Sequence, residues 1–333
     1  MAQINKPNTH FNSKLFTGTG STQSITGVGF QPDLTWFKSR TLAESHNLVD
    51  SVRGLFRLRS NSASAEVSTP VTLDSDGFTV GSESENNGGS MVAWNWKGGG
   101  TAASNTDGSI TSSVSANTTA GFSIVSYTGT GSNATIGHGL GVAPSMVINK
   151  PRDITSSWSV YHAGIASDAE TDVIYLEGTG AAFDNSTFWN DTAPNSSVFS
   201  VGSATGTGAN IAYCFAEKKG FSKFGSYVGN GSADGTFVYT GFKPSFVMLK
   251  SSSNVTEWIM HDNDRLGYNG GNQPLFPNNS GAEDANSRID LLSNGFKLKD
   301  SSIHWNGSGY SFIYMAFAEN PLVGTNGIPA TAR

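Results

Sequence analysis

Cysteine is all but missing: Cys214 stands alone among 333 residues. That excludes an intramolecular disulfide framework and a cysteine-rich zinc site. Charge is also scarce, at 14% of residues, where an average soluble protein carries roughly 25%. The charge present leans acidic, 20 Lys and Arg against 26 Asp and Glu, and no basic cluster interrupts it, which argues against nucleic acid as a partner. Long apolar runs are lacking too. The longest, Phe312 to Ala318, has seven residues, too few to insert in a bilayer. The opening Met-Ala-Gln-Ile-Asn-Lys-Pro has no apolar stretch of the kind a secretory signal needs, so synthesis in a cytoplasm is expected.

With so little charge, the surface must be built from Ser, Thr, Asn and the 40 glycines. These residues compete with or loosen a helix and favour strands joined by turns. A threefold internal pattern sets their order. Phe16-Thr-Gly18-Thr-Gly20, Tyr127-Thr-Gly129-Thr-Gly131 and Tyr227-Val-Gly229-Asn-Gly231 are each followed by a proline six residues ahead of a lysine: Pro32 to Lys38, Pro144 to Lys150, Pro244 to Lys250. Fourteen residues after each proline stand His46, Trp158 and Trp258, and eighteen after stand Asp50, His162 and Asp262. Arg53 and Arg265 follow at twenty-one, with Ile165 in the middle copy.

Each copy then turns into an aromatic (Asp76-Gly77-Phe78, Ser197-Val198-Phe199, Asn294-Gly295-Phe296) and closes on a strand rich in aromatics. Period-2 segments between Asp-Gly and Asn-Gly turns predict hairpins, and no amphipathic helix exceeds two turns. The expectation is an all-β chain of three tandem antiparallel β-sandwich repeats, jelly-roll or lectin-like, each of about 100 residues. The first covers residues 1–100. The second covers 101–218 and opens on a linker, Gly98 to Ala120, within which a strand near Ser109–Ser115 can form. The third covers 219–333, and the chain beyond Ala318 reads as an extended tail.

Catalytic motifs are missing. There is no Gly-x-Ser-x-Gly elbow, no His-Glu-x-x-His and no Walker loop, and the Gly-x-Gly pairs sit between strands as turns. Asp74-Ser-Asp76-Gly77 and Asp262-Asn-Asp264 lack the glutamate that closes a calcium loop, so no metal and no cofactor is expected. Asp50 with Arg53, and Asp262 with Arg265, recur in two copies and predict structural ion pairs. Trp158 with His162 and Trp258 with His261 are the candidate ligand-binding residues: aromatic faces beside polar side chains can stack on sugar rings, although filling the core is the plainer reading. Asp168 with Glu170, and Glu283 with Asp284, are the nearest carboxylate pairs. Both lie in polar loops where a general acid would stay ionised, so no hydrolysis is expected.

Several longer blocks carry a resemblance. They are Gly29-Phe30-Gln-Pro32-Asp-Leu-Thr-Trp36-Phe-Lys38, Asp50-Ser-Val-Arg53-Gly54, Ala93-Trp-Asn-Trp-Lys97, Phe188-Trp-Asn-Asp-Thr-Ala-Pro194, Phe224-Gly-Ser-Tyr-Val-Gly-Asn-Gly231 and Tyr314-Met-Ala-Phe-Ala-Glu-Asn-Pro321. Over nearly the whole chain they resemble a family of uncharacterised tail-fibre-like or virion structural proteins encoded largely by marine tailed bacteriophages. The resemblance implies a place in or on the virion, with other virion proteins of tail or capsid as partners, and it implies no enzyme. Host adhesion through surface glycans is the alternative function. Symmetric phage appendages and a weakly charged surface lead to the expectation of a homo-oligomer, with a trimer favoured.

Overall fold

The computed structural model describes residues 3–205, 207–265, 269 and 272–323. Strands make up 44% of it and helix 5%, so the chain is all-β, as its turn-rich composition predicts. Four antiparallel strands lie side by side in the six-stranded main sheet of the first segment: β1 (Phe11–Thr17), β2 (Leu34–Ser39), β3 (Asn47–Asp50) and β4 (Ser90–Trp96), with Phe56–Arg59 and Val67–Ser68 continuing it past β3. Their order across the sheet is β1-β4-β2-β3. In the second segment β5 (Phe122–Thr130), β6 (Met146–Pro151), β7 (Ser159–His162) and β8 (Thr207–Phe215) lie in the order β5-β8-β6-β7. In the third, β9 (Ser222–Val228), β10 (Phe242–Ser251), β11 (Ile259–Asp262) and β12 (Ser311–Pro321) lie in the order β9-β12-β10-β11. One strand order thus serves all three segments.

The inner strands β2, β6 and β10 are buried on both faces, and the period of two decides which core each side chain enters. In the first segment Leu34, Trp36, Trp94 and Trp96 point to a core shared by all three segments. Phe37 and Ala93, between them in sequence, point to a separate core with Val28, Phe78 and Val80. That second face is covered by a small sheet of Gln23–Thr26, Gly77–Val80 and Thr72–Asp74, which completes a sandwich. The third segment repeats the division. Phe246, Met248, Met315 and Phe317 join the shared core, while Val247, Leu249, Phe312 and Tyr314 pack under Phe237–Tyr239, Gly295–Leu298 and Ile289–Leu292. The shared core is aromatic: Phe11, Trp96, Phe215, Phe246 and Phe317 lie with the centroids of contacting rings 4.9–6.4 Å apart. Each such ring stabilises the fold by about 1.5–3 kcal/mol through burial alone.

The paired glycines of the aromatic-Gly-x-Gly turns serve two needs. A Cβ on Gly18 would lie 2.8 Å from Gly88 N, and one on Gly229 would lie 2.2 Å from Gly307 O. Gly20, Gly131 and Gly231 have φ of 67–68°, a left-handed conformation that side chains disfavour. A buried asparagine pins two of these turns. Asn86 Oδ1 accepts from Thr19 N, and Asn306 Oδ1 accepts from Asn230 N, each at 2.9 Å.

Two boundary expectations need correction. The strand expected within the linker after Gly98 forms as Ser112–Asn117, pairing along β5, but sheet extends further than expected: Ala103–Asn105 pairs with it and widens the second sheet. Its serines and threonines alternate with Val114 and Ala116, and that alternation suits a strand. The expected tail after Ala318 continues β12 to Pro321, which pairs with Phe242; its remainder, residues 324–333, lies outside the described residues.

Candidate functional site: the seams between segments

Polar side chains concentrate where one segment meets the next. At the seam of the first and second segments, the Arg53 Nε lies 2.5 Å from Asp50 Oδ2. Tyr213 Oη, from the second segment, donates to Asp50 Oδ2 at 2.8 Å and accepts from Arg53 Nη2 at 3.1 Å. Glu66 of the first segment meets Arg152 of the second through two bonds of 2.8 and 2.9 Å. The seam of the third and first segments has the same design. Arg265 Nε lies 2.6 Å from Asp262 Oδ2, which also accepts from Trp94 Nε1 of the first segment at 2.9 Å. Glu283 meets Arg40 of the first segment at 2.7 and 3.1 Å and Arg265 at 2.9 Å. The Arg53 and Arg265 guanidiniums therefore each have carboxylate partners and a neighbouring segment's group against them, Tyr213 Oη and the Trp94 ring, the satisfaction that makes burial of charge tolerable.

The seam of the second and third segments has no counterpart of the Asp–Arg pair. His162 stands where Asp50 and Asp262 stand, and Ile165 replaces the arginine. His162 Nδ1 accepts from Gly164 N, and Nε2 donates to Tyr314 O of the third segment, both at 3.0 Å. Burial holds this ring neutral, down to about 4. His261 packs away from the seam: Nδ1 donates to Asn272 O at 2.8 Å and Nε2 accepts from Trp305 Nε1 at 3.1 Å. Burial, then the Arg265 charge, push it down to about 3.

Trp158 and Trp258 close the ring of segments. Trp158 Nε1 donates to Arg59 O of the first segment at 3.0 Å, and Trp258 Nε1 donates to Tyr175 O of the second at 2.9 Å. His46, at the matching place, accepts from Trp36 Nε1 at 3.0 Å and faces the Phe276 carbonyl of the third segment. Backbone bonds run in the same cyclic sense. Arg152 O accepts from Glu66 N at 2.7 Å, Ser252 O from Ala182 N at 2.8 Å, and Arg40 O from Glu283 N at 2.8 Å. All three acceptors stand eight residues after their proline. The three lysines at proline plus six end inside the same junctions. Lys38 Nζ donates to Ser39 O and to Ser280 O of the third segment, and Lys250 Nζ to Ser251 O and Thr179 O of the second. Lys150 Nζ donates to Pro151 O at 2.7 Å. Burial pushes all three ammonium groups down to about 8.

The ligand-binding expectation for Trp158, His162, Trp258 and His261 is therefore corrected. All four are at most 1% exposed, and all seven tryptophans are at most 3% exposed. An indole face packed against its own chain has no room for a sugar ring. The acidic turns are also committed to the fold: Asp76 accepts from Gly27 N and Gly29 N, and Asp264 bonds Ser13. Among the described residues no group of three or more His, Cys, Asp or Glu is placed to hold a metal ion. Burial pushes the Cys214 thiol up, away from the thiolate. An open groove of about 1020 Å³ between the first two segments is lined by His10, Gln31, Asp33 and Lys97 among others.

Sequence reasoning missed the inter-segment partners Glu66, Arg152, Arg40, Tyr213 and Trp94. One signal was available, since Arg40 and Arg152 share their spacing from the proline. Comparison with known families finds one match, a family model described as Domain of unknown function (DUF7483), over residues 6–321. No curated protein and no solved structure matches the chain significantly.

Proposed function

The chain belongs to the DUF7483 family, and from that premise we propose that it is a bacteriophage virion structural protein, a tail or capsid-attached component working as a rigid body. One observation carries the reading: the arginines, tryptophans and lysines at the segment boundaries turn inward and bind across the seams. Side chains that would do chemistry elsewhere serve here to join three segments into one unit. The block resemblance to virion and tail-fibre-like proteins supports the same reading, with another virion protein as partner and the particle as location. Mass spectrometry of gradient-purified particles of the encoding phage tests it. The chain should co-purify at a fixed stoichiometry with the major structural proteins, and its absence from intact particles would overturn the reading.

Host adhesion is a second reading, favoured by one surface feature. Phe237 and Tyr239 alternate along the strand Phe237–Tyr239 of the third segment, 45% and 57% exposed, and the adjoining Thr236 Oγ1 donates to Val228 O, whose residue is 58% exposed. An exposed aromatic pair of this kind suits a glycan face better than the buried tryptophans do. Binding of host surface polysaccharide that Tyr239→Ala abolishes is the result this reading requires.

A further inference from the structure

The loops that follow the lysine strands occupy matching places in the three segments: residues 40–46, 152–158 and 252–258. Each is tied by backbone to the segment before it, through the bonds from Glu283 N, Glu66 N and Ala182 N. A contact that returns to the first segment after three steps describes rotation about an axis, so the three loops stand in a ring at one pole. Each loop exposes one aliphatic side chain: Leu42 at 37%, Ile154 at 45% and Val255 at 66%. Each also carries a carboxylate within two residues of it, from Glu44, Asp153 and Glu257 respectively. The sequences differ, yet the chemistry of apolar tip plus acid is the same three times.

We propose that this pole docks a single copy of the chain on a threefold-symmetric protein partner, whose three equivalent sockets are apolar and rimmed by cationic groups. The inference rests on the virion reading and specifies its partner. A single chain that carries three like tips at equal radius matches three subunits of a trimer in one docking event. The second and third contacts then form at high effective concentration. The carboxylates supply charge complementarity, which steers the encounter and weakens with salt. Leu42 and Ile154 stand ten residues after their prolines and Val255 eleven after its own; exposed aliphatics scattered over the surface would need no explanation, but one in each of three corresponding loops does.

The test is rebinding of the purified chain to particles of the encoding phage assembled without it, followed by sedimentation and quantitative mass spectrometry. Binding should saturate at one chain per three copies of the partner and weaken as salt is raised. Leu42→Asp, Ile154→Asp and Val255→Asp should each weaken binding about tenfold, and the triple variant by about a thousandfold if the tips act additively. Val228→Asp with Tyr239→Asp should bind as wild type. An unchanged unfolding midpoint for the triple variant shows that it still folds; if Leu42→Asp lowers the midpoint, Leu42→Ser takes its place. Wild-type binding by the triple variant, three chains at each threefold site, or self-association of the isolated chain through the tips would overturn the inference. Absence of the chain from wild-type particles is a different result: it overturns the virion reading and this inference together.

Discussion

Replacing Arg265 with isoleucine tests whether the seams are held by their buried ions. The guanidinium side chain is 1% exposed and neutralises both Asp262 at 2.6 Å and Glu283 at 2.9 Å. It also lies 5.7 Å from the Trp94 ring centroid. After Arg265→Ile, Glu283 keeps Arg40, but Asp262 becomes a buried carboxylate with no counter-charge. It would retain the bonds from Trp94 Nε1, at 2.9 Å, and from Asp264 N, at 3.1 Å. Removing one partner of a buried pair costs about 3–5 kcal/mol, and the surviving bonds place this case near about 3 kcal/mol. The isoleucine itself is no obstacle, because Ile165 occupies the same place in the second segment. Adding Asp262→Asn removes the stranded charge and keeps an acceptor for Trp94, so the double variant should recover about 1–2 kcal/mol of the loss. Equilibrium urea unfolding, followed by tryptophan fluorescence, measures the wild type, both single variants and the double. A loss below about 1 kcal/mol for Arg265→Ile, or strictly additive effects, would refute the reasoning.

Two further predictions follow from other parts of the fold. Gly229→Ala should destabilise by several-fold more than Gly20→Ala, because its Cβ would lie 2.2 Å from Gly307 O whereas that of Gly20 meets nothing within 4 Å. The Gly20 variant bears only the strain of its positive φ, about 1–2 kcal/mol, and thermal melts of the pair decide the order. Acid should destabilise early. His162 and His261 are held down to about 4 and about 3, against about 6.5 when unfolded. The native state then binds fewer protons, and stability falls as pH drops from about 6.5 towards 4, by about 1.4 kcal/mol per pH unit for His162 alone. Asp264, raised by burial, works in the opposite sense. His162→Gln should lessen the fall of the urea midpoint between pH 6.5 and 5 while the share from His261 remains, and an unchanged slope would count against the neutral-ring assignment.

Much of the local structure was legible because hairpin chemistry is local. Asp76-Gly77 and Asn294-Gly295 forecast their turns, and alternating segments forecast strands. Asp50 with Arg53 and Asp262 with Arg265 sit three residues apart, so their pairing needed no knowledge of the tertiary fold. The closure of three segments into a ring was not legible. Trp158 meets Arg59, and Trp258 meets Tyr175, across about 80 to 100 residues of chain. Nothing in a local pattern separates an indole that fills its own sandwich from one that reaches the next. The lysines at proline plus six marked the repeat but gave no hint of burial, since lysine is almost always exposed. Backbone carbonyl groups make that burial tolerable, from the lysine's own segment in all three copies and from a loop of the adjoining segment for Lys38 and Lys250, and those loops have no common motif. Of the two strands inside residues 98–120, the one near Ser109–Ser115 was expected and Ala103–Asn105 was hidden by a composition of Ser, Thr and Gly that linkers share.

The most direct test of the account is differential scanning calorimetry of the intact chain at pH 7.5. If the three segments share one core and are locked by their seams, they cannot melt separately. The account predicts a single transition whose calorimetric enthalpy equals its van't Hoff enthalpy, moved to lower temperature as one peak by Arg265→Ile. Two or three resolved transitions, with Arg265→Ile shifting only one of them, would contradict it.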